Sequence, residues 1–379
     1  MERDMHAIVN NRPNPLRQLS KKGQSVWLDY IRRNLITSGT LDHLIEQDGL
    51  RGMTSNQAIF EKVVTGCSDY AKDLDALRSR HDLDEAAIFE RIAIADIRRA
   101  ADHFESIYRG TQQRDGYVSM EVSPRLAADT AGTVADARRL WHTVDRPNLL
   151  IKVPATPEGL PAIETLLKEG INVNVTLLFS VDVYTRVAEA YFRALEFRDD
   201  TGADLSCIAT VASFFVSRVD TAIDRLIDRQ INQHSLTDAA EIAALKGRIA
   251  IANARIAYKQ YQSLFSGKRW QRLARAGARP QRLLWASTGT KNPAYRDVRY
   301  VEELIGRDTV NTLPPATLDA FRNHGKVRES LTESVEESAR LLALLAHHGI
   351  ILGEVTDRLL TEGVAAFTNA YDKALAAIQ

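Results

Sequence analysis

A lysine interrupts one of the most apolar short segments of the chain, NLLIKVP at residues 148–154. Lys152 stands between Ile151 and Val153, and Pro154 ends the segment because proline cannot donate a hydrogen bond to a strand ladder. An ammonium group removed from water loses its charge more readily, and an uncharged amine is a nucleophile. The structural alternative is that the side chain reaches the rim of a sheet or pairs with a carboxylate. Nucleophilic catalysis by Lys152 is therefore a hypothesis that the rest of the chain must support.

Eight short apolar segments alternate with longer amphipathic segments. The amphipathic segments carry apolar residues at i, i+3 and i+4, as in residues 181–200, and this spacing is typical of helices. Repeated strand–helix alternation predicts parallel pairing through helical crossovers, and eight units close an α/β fold of the (β/α)8 TIM barrel type. Extra helices are predicted in residues 217–280 and after the eighth strand. The predicted strands are residues 25–31, 49–55, 116–122, 148–154, 171–179, 207–216, 282–288 and 308–314.

The chain shows no linker or low-complexity tract, which predicts a single barrel domain over residues 1–379. Residues 328–379 are predicted to form a helical extension packed on the barrel. Phe367, Tyr371 and Leu375 are four residues apart, which predicts one apolar stripe on the last helix. We expect that helix near the mouth of the barrel; plain packing on the outer layer is the alternative.

Composition excludes several classes of protein. The chain has 379 residues with 49 Lys+Arg and 49 Asp+Glu, so no overall charge attracts nucleic acid or a membrane surface. The N-terminus lacks the apolar segment of a signal peptide, and no stretch of about 18 apolar residues predicts a membrane span. Cys67 and Cys207 are too few for a disulfide framework, and Cys207 is predicted to be a small core residue. These features predict a cytoplasmic protein.

Polar side chains stand late in, or directly after, most of the predicted strands. The C-terminal strand ends of a barrel meet at one face, where its chemistry takes place. Singly, Asp29 or Glu121 could pair with an arginine, and Asn56 could cap a helix. Two carboxylates and a lysine at one mouth fit a nucleophile with its acid and base, because unpaired buried charges are costly. The whole set comprises Asp29, Asn56, Glu121, Lys152, Asn174, Thr176, Ser213 and Ser287.

Motifs for other chemistries are missing from the sequence. It contains no H-E-x-x-H and no Cys/His cluster with metal-ligand spacing, so no metal site is predicted. STGTK at residues 287–291 is similar to the end of a P-loop, but the full motif is not met, and no G-x-G-x-x-G opens a helix. A pyridoxal phosphate enzyme would also need a lysine, but no loop for the cofactor phosphate is evident. Schiff-base formation with a carbonyl compound, without a cofactor, is the leading class.

Seven motifs in the same order resemble the transaldolase family, over about residues 15–325. The resemblance implies a (β/α)8 barrel, and the length and N-terminal segment are similar to the longer bacterial branch. Any one motif is weak, whereas seven in register are specific. The motifs are WLDYI, GMTSNQAIFEK, EVSP, LIKVPAT, NVNVTLLFS, SFFVSRVD and WASTGTKNP.

The resemblance implies roles for four catalytic residues. Lys152 matches the Schiff-base lysine of the family, and Asp29 matches its acid/base on the first strand. Glu121 matches the carboxylate that acts through a bound water, and Thr176 matches the hydroxyl that holds this water.

The resemblance also implies a set of substrate-binding residues, namely Asn56 and Asn174 for sugar hydroxyls, Ser213 for the substrate chain, and Arg218 and Ser287 for phosphate. The family often has an arginine shortly after the seventh-strand serine, whereas this chain reads ASTGTKN, so Lys291 is the expected substitute. Lysine binds phosphate as a point charge, without the planar fork of arginine. In the alternative interpretation Arg218 pairs with Asp220 or Asp224 on its own helix and Lys291 is solvated.

The implied reaction is the transfer of a dihydroxyacetone unit between sugar phosphates, through a Schiff base on Lys152. Sedoheptulose 7-phosphate and glyceraldehyde 3-phosphate give erythrose 4-phosphate and fructose 6-phosphate, a step of the non-oxidative pentose phosphate pathway. The alternatives are a fructose 6-phosphate aldolase-like lyase that releases free dihydroxyacetone, and a non-catalytic barrel that binds sugar phosphates or partner proteins. The expected partners are small sugar phosphates, without nucleic acid or membrane. A homodimer is compatible with the sequence.

Overall fold

The computed structural model describes residues 14–66, 68–80, 82–231 and 236–378. Cys67 and the first 13 residues, on which the signal-peptide expectation depends, lie outside these ranges. Within them, eight parallel strands pair in chain order and close into a barrel. The prediction of a (β/α)8 TIM barrel is confirmed. The strands are β1 (Gln24–Asp29), β2 (Gly52–Thr54), β3 (Tyr117–Glu121), β4 (Leu149–Pro154), β5 (Val173–Leu178), β6 (Thr210–Phe215), β7 (Arg282–Ala286) and β8 (Thr309–Leu313).

Helices surround the barrel, and four of them lie between β6 and β7, where the sequence predicts extra helices. The described helices are α1 (Pro15–Lys21), α2 (Arg33–Thr37), α3 (Thr40–His43), α4 (Gln57–Gly66), α5 (Ala71–Arg78), α6 (Glu85–His103), α7 (Glu105–Gly110), α8 (Thr130–Val144), α9 (Gly159–Lys168), α10 (Val181–Asp200), α11 (Ser217–Ile231), α12 (Leu236–Ala243), α13 (Ile249–Leu264), α14 (Lys268–Arg275), α15 (Arg299–Glu303), α16 (Pro315–His324), α17 (Val335–His347) and α18 (Leu352–Ile378).

The strands are buried along nearly their whole length. β5, β6, β7 and β8 are buried at every residue. This follows from the topology, because helices cover the outer face of a parallel barrel while side chains fill its interior. Polar residues inside such strands must find partners, and these partners define the two ends of the barrel.

The N-terminal end of the barrel is closed by a buried ion pair. Arg282 on β7 lies 2.9 Å from the carboxylate of Asp115, and both side chains are less than 10% exposed. Ser25 on β1 donates to Asp115 at 2.8 Å and accepts from Arg282 at 2.8 Å. Burial acts to raise the pKa of Asp115, but Arg282 and these hydrogen bonds hold it below its usual value. The network therefore ties β1 and β7 to the segment before β3.

Replacing Arg282 with methionine is expected to lower the free energy of unfolding by about 3–5 kcal/mol, because Asp115 would remain buried without its cation. Urea denaturation followed by circular dichroism measures this change. The control is Arg114→Met, which breaks the half-exposed pair with Asp308 and should cost less than about 1 kcal/mol. Equal losses in the two variants would contradict a structural role for the buried pair.

The prediction that Cys207 lies in the core is wrong, because its side chain is exposed. β6 begins at Thr210, three residues later than the apolar pattern suggests. The residues before it form a turn at the N-terminal end of the barrel, where the Cys207 thiol donates to the carbonyl of Asp204 at 3.2 Å.

The last helix lies against the C-terminal end of the barrel. α18 contacts α4, α6, α11 and β5. Phe367 is buried, and Tyr371 and Leu375 pack against the core, so the apolar stripe predicted from their spacing is present. Arg78 donates to the carbonyls of Ala377 and Ile378 at 3.1 and 2.8 Å and thereby caps the end of the helix. The single-domain organisation of residues 1–379 stays a prediction.

None of the described helices is by itself long and apolar enough to span a membrane. α17 and α18 meet the length and composition criteria only as a pair, and they are bent by 89° relative to each other.

Candidate active site

Lys152 and Glu121 form a buried ion pair at the C-terminal end of the barrel. The two residues are register partners on β4 and β3, and Lys152 is only 4% exposed. Its Nζ lies 2.7 Å from Oε1 of Glu121 and donates to the carbonyl of Ser55 at 3.0 Å. Lys152 therefore pairs with a carboxylate, as considered from the sequence. Its side chain can still be reached by a small molecule, because it also lines a cavity.

The pKa of the Glu121 carboxyl is raised by burial, and nearby Lys152 opposes this shift. The backbone N–H of Gln57 also donates to Oε2 of Glu121 at 3.3 Å, which favours the charged carboxylate. A carboxylate with a raised pKa accepts a proton readily. At 2.7 Å from the ammonium, Glu121 is in position to exchange a proton with Lys152.

Asp29 lies at the end of β1 and lines the same cavity as Lys152. Thr54 donates to its Oδ1 at 2.8 Å, and the Thr54 hydroxyl is also 2.7 Å from that of Thr312. Burial raises the pKa of Asp29, while the charge of Lys152 and the Thr54 hydrogen bond oppose this. The site thus holds two carboxyl groups with raised pKa values beside one amine.

A cavity of about 20 Å3 lies next to the ion pair. Glu121, Lys152 and Thr176 line its polar side, and Leu177 and Phe367 are among the apolar residues on the other side. A site needs about 10–15 Å3 to hold one water molecule, with two or more polar partners. The hydroxyl of Thr176 is buried and has no hydrogen-bond partner in the described part of the chain. The cavity therefore fits a single water between Thr176 and Glu121.

A larger cavity of about 360 Å3 opens from the same point to the surface. Eight of the ten site residues predicted from the sequence line it, so the structure brings them together. They are Asp29, Asn56, Lys152, Thr176, Ser213, Arg218, Ser287 and Lys291. The cavity has a lysine and a carboxyl group at its inner end and three further cationic residues, Lys62, Arg218 and Lys291, among its other lining residues.

The two other predicted residues are placed differently. Glu121 lies behind Lys152 and borders the small cavity instead. Asn174 is fully buried; its amide donates to Ser119 at 3.0 Å and its carbonyl accepts from Ser213 at 2.6 Å. Asn174 thus orients the Ser213 hydroxyl, which does line the cavity.

From the sequence, Asn56 is considered either as a helix cap or as a substrate-binding residue, and its position is compatible with both. Its Oδ1 accepts from the backbone N–H of Ile59 at 3.0 Å, as a cap of α4. It also lines the large cavity.

Arg218 and the loop after β7 lie on one side of the large cavity. The guanidinium of Arg218 stacks over the ring of Phe215 at 5.3 Å. Asp220 accepts from Ala250 and Tyr300, and Asp224 accepts from Gly247 and Tyr295. The alternative pairing of Arg218 with these carboxylates is therefore not seen among the described residues.

The loop after β7 makes a tight turn towards Arg218. Ser287 has a φ of 54°, in the left-handed region, and its hydroxyl is 3.1 Å from that of Ser217 on α11. Gly289 lines the cavity, and Lys291 follows with an exposed side chain. Burial lowers the pKa of Arg218, while Asp29 and Glu121 oppose this. A bound anion would relieve the desolvated guanidinium.

Sequence reasoning missed three aromatic or cationic residues of the cavity, Tyr30, Lys62 and Phe215. Tyr30 and Phe215 belong to apolar segments and are indistinguishable from core residues by pattern alone. Lys62 lies on α4, where a lysine is ordinary on a solvated face. Among the described residues, no group of three or more His, Cys, Asp or Glu side chains could hold a metal ion.

A closed eight-stranded barrel with a buried lysine and two carboxyl groups at its C-terminal end has the architecture of a (β/α)8 enzyme. Residues 26–378 match the family model described as Transaldolase/Fructose-6-phosphate aldolase. The chain belongs to this family, and the predictions of the family and of a transaldolase-type transferase are confirmed.

Several relatives named transaldolase cover almost the whole chain. A transaldolase from Thiobacillus denitrificans is 48% identical over 365 residues, or 96% of this chain and 99% of that one. One from Thermobifida fusca is 47% identical over 363 residues, with 96% of each chain covered. One from Trichodesmium erythraeum is 46% identical over 364 residues, with 94% of this chain and 95% of that one covered.

Proposed function

We propose that this chain transfers a dihydroxyacetone unit between sugar phosphates through a Schiff base on Lys152. The observation that carries the proposal is the buried ion pair of Lys152 with Glu121 at the inner end of a cavity that Asp29 also lines. The large cavity, about 360 Å3, is within the usual range for small-molecule sites. The donor and acceptor sugars are sedoheptulose 7-phosphate, fructose 6-phosphate and the matching aldose phosphates.

The first stage is formation of the Schiff base. Glu121, at 2.7 Å, takes a proton from the Lys152 ammonium, and the free amine attacks C2 of the ketose. The resulting carbinolamine loses water, with a proton supplied through Glu121 and the water held by Thr176. The raised pKa of Glu121 suits this exchange, because a general acid/base works best near the pH at which it operates.

The second stage is cleavage of the carbon–carbon bond. The protonated imine withdraws electrons from C3, and Asp29 takes the proton of the C4 hydroxyl. The C3–C4 bond then breaks, the aldose phosphate leaves, and a three-carbon enamine stays on Lys152. A second aldose phosphate reacts with this enamine by the reverse steps. The lysine supplies the electron sink, so the scheme needs no cofactor.

Arg218 and Lys291 bind the phosphate in this scheme. We expect Arg218→Ala and Lys291→Ala each to lower kcat/KM on fructose 6-phosphate by about 10–100-fold, the usual loss of a hydrogen bond to a charged group. On unphosphorylated fructose the same variants should change kcat/KM little. Steady-state assays on the two sugars give the comparison. Arg109→Ala serves as a control, because it removes an exposed arginine of α7 that pairs with Glu105 on its own helix. Equal losses on both sugars would refute the phosphate role.

The lyase alternative differs in the fate of the enamine. Fructose 6-phosphate is supplied with and without erythrose 4-phosphate, and glyceraldehyde 3-phosphate release is measured with a coupled dehydrogenase. Without the acceptor, a transferase releases about one equivalent of glyceraldehyde 3-phosphate and stops. With the acceptor, it releases glyceraldehyde 3-phosphate continuously. Continuous release of glyceraldehyde 3-phosphate and dihydroxyacetone without acceptor would favour the lyase.

We also propose a cytoplasmic location and a homodimer. Light scattering on the purified protein measures its molar mass and therefore tests the homodimer.

A further inference from the structure

Phe367 on α18 borders two cavities that meet at Lys152. Its ring lines the large cavity together with Asp29 and Arg218, and it lines the 20 Å3 cavity together with Glu121 and Thr176. The ring is the only part of α18 that borders both spaces among the described residues. The Nζ of Lys152 lies 5.7 Å from the ring centroid, within the range of a cation–π contact.

Neighbouring contacts hold this helix in place. A Cβ added at Gly363 would approach Cδ2 of Leu177 on β5 to 2.9 Å, so glycine lets the helix lie this close to the barrel without displacing that side chain. Leu177 itself has a φ of 59°, in the left-handed region. Beyond Phe367, Asp372 pairs with Arg125 at 2.7 Å. Contacts on both sides of Phe367 therefore hold this part of α18 against the barrel.

The ring has two consequences for a cation formed at Lys152. Its face is attracted to a positive charge on the nitrogen, whether that charge is an ammonium or a protonated imine. The ring also fills apolar space beside Lys152, where the two cavities meet. It thus limits the room for further water molecules next to the nitrogen of a covalent intermediate.

We infer that Phe367 is a specificity-determining residue that protects the three-carbon enamine on Lys152 from hydrolysis, so that the unit is transferred and not released. This inference rests on the proposed function. The C-terminal helix α18 then influences whether the three-carbon unit is transferred or released. The apolar stripe in the sequence does not by itself indicate this role.

Release of the unit consumes one water molecule. A proton adds to C3 of the enamine and gives the protonated imine, and a water molecule then adds to C2 and gives up one proton, which balances the first. The hydroxyl on C2 passes its proton to the Lys152 nitrogen, the C–N bond breaks with its electron pair on the nitrogen, and C2 becomes a carbonyl. The products are free lysine and dihydroxyacetone. Removing the ring admits water to C2 and C3 and leaves the transfer chemistry of Asp29 intact.

The test is Phe367→Ala, assayed on fructose 6-phosphate without acceptor. We expect the ratio of acceptor-independent to acceptor-dependent turnover to rise about tenfold, because the space left by the ring admits further water to the intermediate. Phe367→Leu keeps an apolar side chain and should raise the ratio less. Leu375→Ala, on the same helix and outside both cavities, should leave the ratio unchanged. An unchanged ratio in Phe367→Ala, or an equal rise in Leu375→Ala, would overturn the inference.

Borohydride reduction of the wild-type protein with fructose 6-phosphate separates this failure from failure of the proposed function. If no adduct forms on Lys152, the Schiff-base proposal itself is wrong. If the adduct forms and Phe367→Ala leaves the ratio unchanged, the proposed function stands and only the inference on Phe367 fails.

Discussion

Lys152→Arg is expected to lower turnover by about 10⁴-fold or more, because it removes the covalent electron sink on which both half-reactions depend. Arginine keeps a positive charge beside Glu121, so the carboxylate is not left buried without a cation. Its guanidinium is not deprotonated under these conditions and cannot form the imine. Borohydride reduction with fructose 6-phosphate, followed by peptide mapping, should place the three-carbon adduct on Lys152 in the wild type and give no adduct in the variant.

Two other lysines line the same cavity, Lys62 and Lys291, and they make this a stringent test. An adduct on either one would show that the covalent residue is misassigned. Lys168→Arg is the matched control, since Lys168 pairs with Glu164 on the outer surface and its replacement should leave trapping and turnover unchanged. Thermal unfolding of Lys152→Arg near the wild-type temperature would show that lost activity is not lost folding.

The barrel could be predicted from the sequence because the alternation of apolar and amphipathic segments is repeated eight times. Each of the eight apolar segments overlaps a strand of the closed sheet, and the strands pair in chain order. Strand ends could not be predicted as closely. β2 has only three residues, Gly52–Thr54, inside a predicted segment of seven. β6 begins three residues after the start of its apolar segment, which misplaces Cys207 in the core. Where pairing stops depends on the neighbouring strands, which the apolar pattern of one segment does not show.

The reacting groups could be predicted from the sequence because they interrupt apolar strands. Lys152 and Glu121 are register partners, and sequence spacing alone gives no such pairing. Asn174 donates to Ser119 and accepts from Ser213, two contacts that the sequence does not show, and its contact with the sugar, which the family resemblance implies, stays a prediction. Residues that act through a neighbour are not separable by sequence from those that line a cavity. The same holds for Phe367, which enters the site from a helix more than 200 residues after Lys152 in sequence.

Asp29→Asn is expected to keep Schiff-base formation and to slow carbon–carbon cleavage by about 10²–10⁴-fold, the usual contribution of a positioned acid/base. Asparagine has nearly the same shape and can still accept from Thr54, so the packing at the end of β1 is retained. It cannot take the proton of the C4 hydroxyl. In a single-turnover experiment the adduct on Lys152 should accumulate as the intact six-carbon ketose, and glyceraldehyde 3-phosphate should be released slowly.

The pH dependence of the two stages identifies Asp29 more closely. Asp29 must be deprotonated to act as the base, and burial raises its pKa, so the cleavage rate in the wild type should fall as the pH drops through that raised value. Glu121, whose pKa is also raised by burial, should give a similar acid limb for Schiff-base formation. Asp29→Asn should lose the acid limb of cleavage and retain that of trapping, because only one of the two carboxyl groups is removed. Equal slowing of both stages, with both acid limbs unchanged, would mean that Asp29 supports the structure of the site and does not move the proton.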